Sequence, residues 1–365
     1  MRRIQWRFLW RWMLAMAVVS PGAPRAADYP APREGNFTLR DFHFKDGETL
    51  PELRLHYATL GTPARNAQGV VTNAVLIMHG TTGSWKQFTS PQFADELYGP
   101  GNPLDASRYF LVLMDAIGHG ESSKPSDGLR MRFPHYDYDD MVAAQHDLLT
   151  KGLGVNHLRL VMGTSMGCMH TWVWGETYPD FMDAMMPLAC LPVQIAGRNR
   201  VWRKETMDAI RLDPAWKNGD YTQEPEVGLR SALYILQIAA SAPLQMQKQS
   251  PTRDQADRYL DDFVRRGLGR YDANDVLYAV DASRNYDPSP KLETIQAPVV
   301  HVNSADDFVN PPELGIAERE IKRVKHGKFV LIPISDQTHG HGTHTWAAVW
   351  KNYLIELLAE SANNP

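Results

Sequence analysis

The sequence predicts an α/β protein with a mostly parallel central sheet and a helical cap inserted late in the chain. Three observations carry that expectation. Apolar runs of strand length alternate with helical patterns, one serine sits in a glycine-flanked strand-to-helix turn, and one long helical stretch interrupts the alternation.

The first 27 residues read differently from the rest. Arg2, Arg3, Arg7 and Arg11 precede the apolar run Trp12 to Ser20, and small residues lead up to Ala26 and Ala27. A basic start, a short apolar centre and a small-residue end are the marks of a signal peptide, here cleaved near Ala26 or Ala27. The apolar run is too short to span a bilayer, so no stable membrane span is expected after cleavage. The expected location is the periplasm or the medium. The leader holds five arginines and no acid, so the net charge moves from −4 for the chain to −9 without it. No long basic run remains, which argues against nucleic acid as a partner.

Seven apolar runs follow that end in turn residues: Leu53 to Gly61, Asn73 to Gly80, Arg108 to Gly118, His157 to Ser165, Ala184 to Leu191, Ala297 to Asp307 and Lys328 to Ser335. The later ones are continuously apolar, as strands buried on both faces of a parallel sheet are. Between them, Tyr138 to Gly154, the segment after Ser165 and His344 to Glu360 show helical spacing. From 193 to 296 there are helical stretches and turns but no buried strand. The expected division is a core of 28–192 and 297–365 with a cap insertion at 193–296, since a core strand returns at Ala297. Cys168 and Cys190 are too few for a disulfide-built scaffold, and the plainer expectation is two buried free thiols.

The chemistry starts at Gly163-Thr164-Ser165-Met166-Gly167. A serine at a sharp turn from strand to helix has its hydroxyl pushed out of the sheet, and side chains two residues away on either side would clash. The start of the helix offers backbone N–H groups and positive potential to a developing oxyanion. A serine hydroxyl needs a base, and the base needs an orienting acid. Asp306 and Asp307 end the strand after the cap, and His339, His341 and His344 follow the last strand, so acid and histidine fall in the order this turn demands. One oxyanion N–H is expected from Met166, the residue after the nucleophile. The other is expected from Thr81, in the loop after the run ending at Gly80. His79 and His119, near glycine turns, are expected to be structural. The alternating histidines of the last loop lack the second cluster that a zinc site needs, and neither a metal nor a cofactor is expected.

At these residues the sequence resembles the α/β-hydrolase superfamily, and within it the homoserine O-acetyltransferase-like branch. "GTSMGCMHTWVWGETYPD" is similar to that branch's nucleophile block, and "YGPGNPLDASRYFLVLMDAIGHGESS" to the approach to its fourth core strand. "AIRLDPAWKNGDY" and "GRYDANDVLYAVDASRNYD" resemble its cap motifs. The resemblance covers nearly all of the chain after the leader and implies an α/β-hydrolase fold. It selects Asp307, four residues before Pro311, over Asp306, which becomes a turn residue. It selects His341, in the Gly340-His341 pair, over His339 and His344. It also implies a homodimer through the cap.

The implied reaction is acyl transfer from a small ester or acyl donor through an acyl-serine. The triad alone does not set the acceptor. The resemblance implies a carboxylate-binding cap arginine in homoserine-acetylating members, and the matching position here is Met207, with Arg203 and Arg211 nearby expected to be solvated surface charges. With the leader, this favours an exported ester hydrolase. The alternatives are an O-acyltransferase of the homoserine O-acetyltransferase type and a non-catalytic binding protein on a hydrolase fold.

Overall fold

A computed structural model describes residues 28–362; the leader lies outside the described residues. The chain runs β1 (Arg33–His43), β2 (Thr49–Leu60), β3 (Ala74–Met78), α1 (Pro91–Leu97), β4 (Phe110–Met114), α2 (Tyr138–Asp147), β5 (Leu160–Thr164), α3 (Met166–Thr177) and β6 (Met185–Leu188). Then come α4 (Gly197–Arg211), α5 (Glu226–Ala240), α6 (Pro243–Gln249), α7 (Arg253–Leu268) and α8 (Ala273–Asp281). It closes with β7 (Val299–Ser304), α9 (Ile316–Glu320), β8 (Gly327–Ile332) and α10 (Ala347–Ser361).

The eight strands form one sheet in the order β1-β2-β4-β3-β5-β6-β7-β8. From β4 to β8 all neighbours are parallel, while β1 and β2 form an antiparallel hairpin whose second strand pairs antiparallel with β4. β3, β4 and β5 are buried at every position. Their continuous apolar runs serve two layers at once. Leu76, Val112 and Val161 face one core with α2 and α3, and Val75, Leu111 and Leu160 face the other with α1 and α10. At about 25 cal/mol per Å² of apolar surface buried, this two-sided burial is the main force holding the sheet.

β1 was not foreseen. Its segment is largely exposed and polar, so it lacks the apolar signal of the central strands. It forms because Gly47 (φ +96) closes a tight turn from Phe44 to Glu48, which brings it back along β2. The helix from Tyr138 ends its regular part at Asp147 and continues through one wide turn over Leu148–Gly152. The last helix starts at Ala347, after a short tight turn over Gly342–Thr345 that takes up His344.

The stretch between β6 and β7 contains α4 to α8 and no strand. It packs its own apolar centre, with Met207, Trp216, Leu229, Leu233, Val264 and Val276 all buried. Among the hydrogen bonds that fasten it to the core are three to the loops that follow β7 and β8. Arg198 donates to Phe308 O (2.6 Å), Asn199 to Val309 O (3.4 Å) and Gln245 to Thr338 O (2.8 Å). The cap therefore rests on the loops that carry Asp307 and His341. Among the described residues no single helix is long and apolar enough to cross a membrane.

The cysteine expectation is corrected. Cys168 and Cys190 form a disulfide with a Cα–Cα distance of 5.8 Å. The reason is sheet order: β5 and β6 are neighbours, so the first turn of α3 and the turn leaving β6 lie side by side at their C-terminal ends. Nothing in the spacing of two cysteines carries that proximity.

Candidate active site

Ser165 is the residue between β5 and α3, with φ 54° and ψ −108°. This left-handed conformation costs a residue with a side chain about 1–3 kcal/mol and is held by its surroundings. Ser165 N donates to Leu188 O (2.9 Å) and Gly167 N to His79 O (2.9 Å), which pins the turn to β6 and to the end of β3. The flanking glycines are required by close approach. A Cβ on Gly163 would stand 2.2 Å from Gly167 O, and one on Gly167 would stand 2.0 Å from Met78 O.

His341 Nε2 lies 2.8 Å from Ser165 Oγ, and His341 Nδ1 lies 3.0 and 3.1 Å from the two oxygens of Asp307. The three residues follow the C-terminal ends of β5, β7 and β8, and because these strands run parallel their ends lie on the same side of the sheet. Asp307 is 2% exposed. Its carboxylate accepts from Val309 N (2.8 Å), Asn310 N (3.1 Å) and Asn310 Nδ2 (3.1 Å). Burial alone would raise this carboxyl, but His341 and the Asn310 donors outweigh it and hold the pKa below the usual value. Asp307 is therefore the ionised partner, and Nδ1 of His341 carries the proton that faces it.

The neighbouring candidates take other places. Asp306 accepts from Thr338 Oγ1 (2.9 Å) and Gly340 N (3.0 Å), and from Ser304 Oγ. It therefore does more than end a turn: it ties the acid loop to the loop that presents His341. His339 stacks on Trp346 with ring centres 3.8 Å apart. His344 packs edge-on against His341 at 5.2 Å, and burial drives its pKa to about 3, so it stays neutral. His79 donates Nδ1–H to Gly80 O and accepts Ala116 N at Nε2. His119 is held by Ile117 O, and burial keeps both rings neutral.

The residues assigned to the oxyanion flank the nucleophile. Met166 is the first residue of α3, where helix N–H groups have no intrahelical partner. Thr81 follows Gly80, at which a Cβ would lie 3.3 Å from Ser165 Cβ. Together the groups can generate an alkoxide equivalent at Ser165, shuttle one proton and stabilise negative charge beside it.

One expectation on the cap is corrected. Arg203 is not a solvated surface charge: it is 2% exposed and among the largest buried side chains. It donates to Asn199 Oδ1 (2.9 Å) and Ser283 Oγ (3.1 Å) and lies over the Trp202 ring. Arg211 is exposed, and Met207 is wholly enclosed in the cap's own core. Sequence reasoning also missed Asn310, which donates to Ala189 O as well as to Asp307, and Tyr138, buried at the start of α2. A polar residue three after the acid was the one signal available for Asn310.

A family model described as the alpha/beta hydrolase fold matches residues 73–333. A homoserine O-acetyltransferase of Pelobacter propionicus is 32% identical over 349 residues, which covers 85% of this chain and 91% of that protein. Among solved structures, homoserine O-acetyltransferase from Bacillus anthracis aligns with a TM-score of 0.77 at 22% identity, covering 90% of this chain and 98% of that one. The acetyl esterase MekB aligns with a TM-score of 0.77 at 25% identity, covering 90% and 97%.

Proposed function

The chain belongs to the α/β-hydrolase superfamily, in its homoserine O-acetyltransferase-like branch, and on that footing we propose that it is an exported ester hydrolase working through an acyl-serine intermediate. The branch contains O-acyltransferases and acetyl esterases, so the enzyme is an ester hydrolase or an O-acyltransferase. The observation that carries the proposal is the continuous Ser165–His341–Asp307 hydrogen-bonded series.

In the proposed mechanism His341 Nε2 takes the Ser165 proton as Oγ attacks the carbonyl of a small ester or thioester. Asp307 holds the tautomer and stabilises the imidazolium. The N–H groups of Met166 and Thr81 receive the oxyanion. His341 then protonates the leaving group, and the acyl-serine passes to water activated by the same histidine. Water is favoured as acceptor by two features. Met207 cannot pair with a substrate carboxylate and is enclosed in the cap core. The leader directs the chain to the periplasm or the medium, away from cytosolic acyl-CoA. The disulfide supports that location, because such bonds persist in oxidising compartments. Val227, Tyr234 and Ile238 are exposed along one side of α5 and offer an apolar face for a homodimer through the cap.

The test is an acyl-donor panel on the mature enzyme. Short-chain aryl esters should turn over without homoserine or acetyl-CoA. Homoserine-dependent CoA release with slow ester hydrolysis would instead establish the O-acyltransferase reading. A fluorophosphonate should label the wild type and not Ser165→Ala; absence of both labelling and turnover would leave a binding protein.

A further inference from the structure

A buried histidine on the N-terminal hairpin has both ring nitrogens committed to oxygen. His56, on β2, is 3% exposed. Its Nδ1 lies 3.0 Å from Asn36 Oδ1, and its Nε2 lies 3.0 Å from Glu34 Oε2, both on β1. Strand register explains this: Asn36 stands opposite His56, and Glu34 lies two residues along on the same face. A further donor comes from the loop after β4. The carboxylate of Glu121 joins the other two, so that one donor atom each from Glu34, His56 and Glu121 lies within 4.8 Å of the others. Hydrogen bonds hold that loop in place. His56 N donates to Ser122 Oγ (2.9 Å), Ser123 N to Arg54 O (2.8 Å) and Arg54 Nε to Glu121 O (2.9 Å). Segments far apart in sequence therefore deliver their donors to one point, which no local pattern announces.

The polarity of the imidazole singles this cluster out. A neutral ring has one N–H and one lone pair. With Asn36 Oδ1 turned towards Nδ1, that nitrogen donates, and the Nε2 lone pair faces carboxylate oxygen. Such a contact needs a positive centre: a second proton on the ring, or a cation that both atoms bind. A proton on Nε2 answers Glu34 alone, whereas a cation also uses Glu121. Lys86 Nζ stands 3.6 Å from Glu121 Oε1, but both side chains are 61% exposed, so this pair holds the carboxylate weakly. A ring N–H donated to a side-chain carbonyl is also the usual outer contact of a metal-bound histidine, because it fixes the tautomer that offers the other nitrogen.

We propose that Glu34, His56 and Glu121 form a binding site for a divalent ion of the zinc class, with water completing its shell. One imidazole and two carboxylates suit Zn2+ better than Ca2+ or Mg2+, which favour oxygen ligands alone. Two ligands on a tetrahedral zinc stand about 3.3 Å apart at bonds of about 2.0 Å. His56 and Glu34 are near that spacing, and rotation of the exposed Glu121 carboxyl closes the rest. The ion acts as a clip and not as a catalyst. Glu121 N donates to Asp115 Oδ2 (2.9 Å), and Asp115 Oδ1 accepts Trp85 N (2.7 Å), in the loop that begins at Thr81. The clip thus ties the hairpin to the oxyanion loop, and the site stands whatever acyl acceptor the enzyme uses.

The experiment uses the untagged mature chain, stripped with EDTA and dialysed, with Zn2+ alone as the probe. Calorimetry should show one site. Glu34→Gln and Glu121→Gln should each weaken it by about 10-fold or more, and both residues are exposed, so these variants keep their fold. Asn36→Ala should weaken it by about 10- to 100-fold without removing a ligand. Excess Mg2+ should not compete; competition overturns the zinc assignment. Saturating Zn2+ should raise the thermal midpoint of the wild type and not that of Glu121→Gln. It should also slow amide exchange at Glu121 and Trp85. The histidines of the last loop are the competing ligands, so an affinity unchanged in Glu34→Gln and Glu121→Gln places the ion elsewhere and overturns the site. Absence of binding at millimolar Zn2+ leaves a His56–Glu34 ion pair only and overturns it equally. Binding that is lost in the variants but leaves amide exchange unmoved in the wild type overturns the clip.

Discussion

Reducing the Cys168–Cys190 bond should destabilise the protein without disabling its site. The bond closes a loop with a sequence separation of 22 residues. On the chain-entropy account, releasing a loop of that length returns about 3 kcal/mol of freedom to the unfolded chain. Both cysteines are fully buried, so reductant must be applied to the unfolded chain, which is then refolded with the thiols free. This comparison changes no side-chain volume and so carries no cavity cost of the kind a Cys→Ala pair would add. With a urea slope of about 3 kcal/mol per M for a chain of this size, the unfolding midpoint should fall by about 1 M. Activity should change little, because Ser165 N still donates to Leu188 O and the β5–β6 ladder still holds the two turns together. Equal midpoints for the two forms, with free thiols verified by mass, would refute the entropic argument. A large loss of kcat in the reduced form would show that the bond, and not the ladder, sets the site.

Asp306→Ala should reduce kcat by about 10-fold or more, through misplacement of His341, because it strands Gly340 N and removes the tie from Thr338 Oγ1 to the acid loop; steady-state kinetics with Asp306→Asn as the partial rescue checks this. Gly167→Ala should yield little folded protein, since its Cβ would stand 2.0 Å from a β3 carbonyl; soluble yield and circular dichroism report it. The pH dependence of stability has two limbs. Burial raises Glu176 to about 7 and Asp140 and Asp275 to about 6. Because these folded pKa values lie above the unfolded ones, the groups stabilise the fold below about pH 4 and lose that contribution as pH rises through 6–7. Asp307 has the opposite sign: its depressed pKa contributes stability above the unfolded value near 4, which is lost as pH falls through the folded one. The histidines that burial keeps neutral act against the first limb. His79 and His301, driven to about 4, and His119 and His344, driven to about 3, lose their stabilising contribution as pH falls below the unfolded value of about 6.5. The thermal midpoint should therefore be highest near neutral pH and fall on acidification, and Glu176→Gln should raise it more at pH 8 than at pH 5.

What the sequence determined by itself was whatever short-range pattern encodes. Apolar runs announced the strands that recur as β2 to β8; two-sided burial holds for β3 to β7, whereas β2 and the edge strand β8 leave residues exposed. The glycine spacing around Ser165 announced a sharp turn; the clash that forbids a side chain at Gly163 is local, with Gly167 O, whereas the one at Gly167 is with Met78 O of β3 and belongs to the tertiary structure. The order of Ser165, the two aspartates and the three histidines followed from connectivity. β1 escaped notice because an exposed hairpin strand has no apolar run to betray it.

The tertiary structure alone decided matters that depend on which distant segments meet. It gave Asp306, beside the Asp307 that the family resemblance implied as the acid, the task of holding the histidine loop. It closed the disulfide because β5 and β6 are adjacent. It buried Arg203 against Ser283, 80 positions away in sequence, where composition and spacing read a surface charge. The physical reason is the same throughout. A residue's chemistry is set by its burial and by its partners, and in a crossed-over parallel sheet with an inserted cap those partners come from segments that no local pattern links.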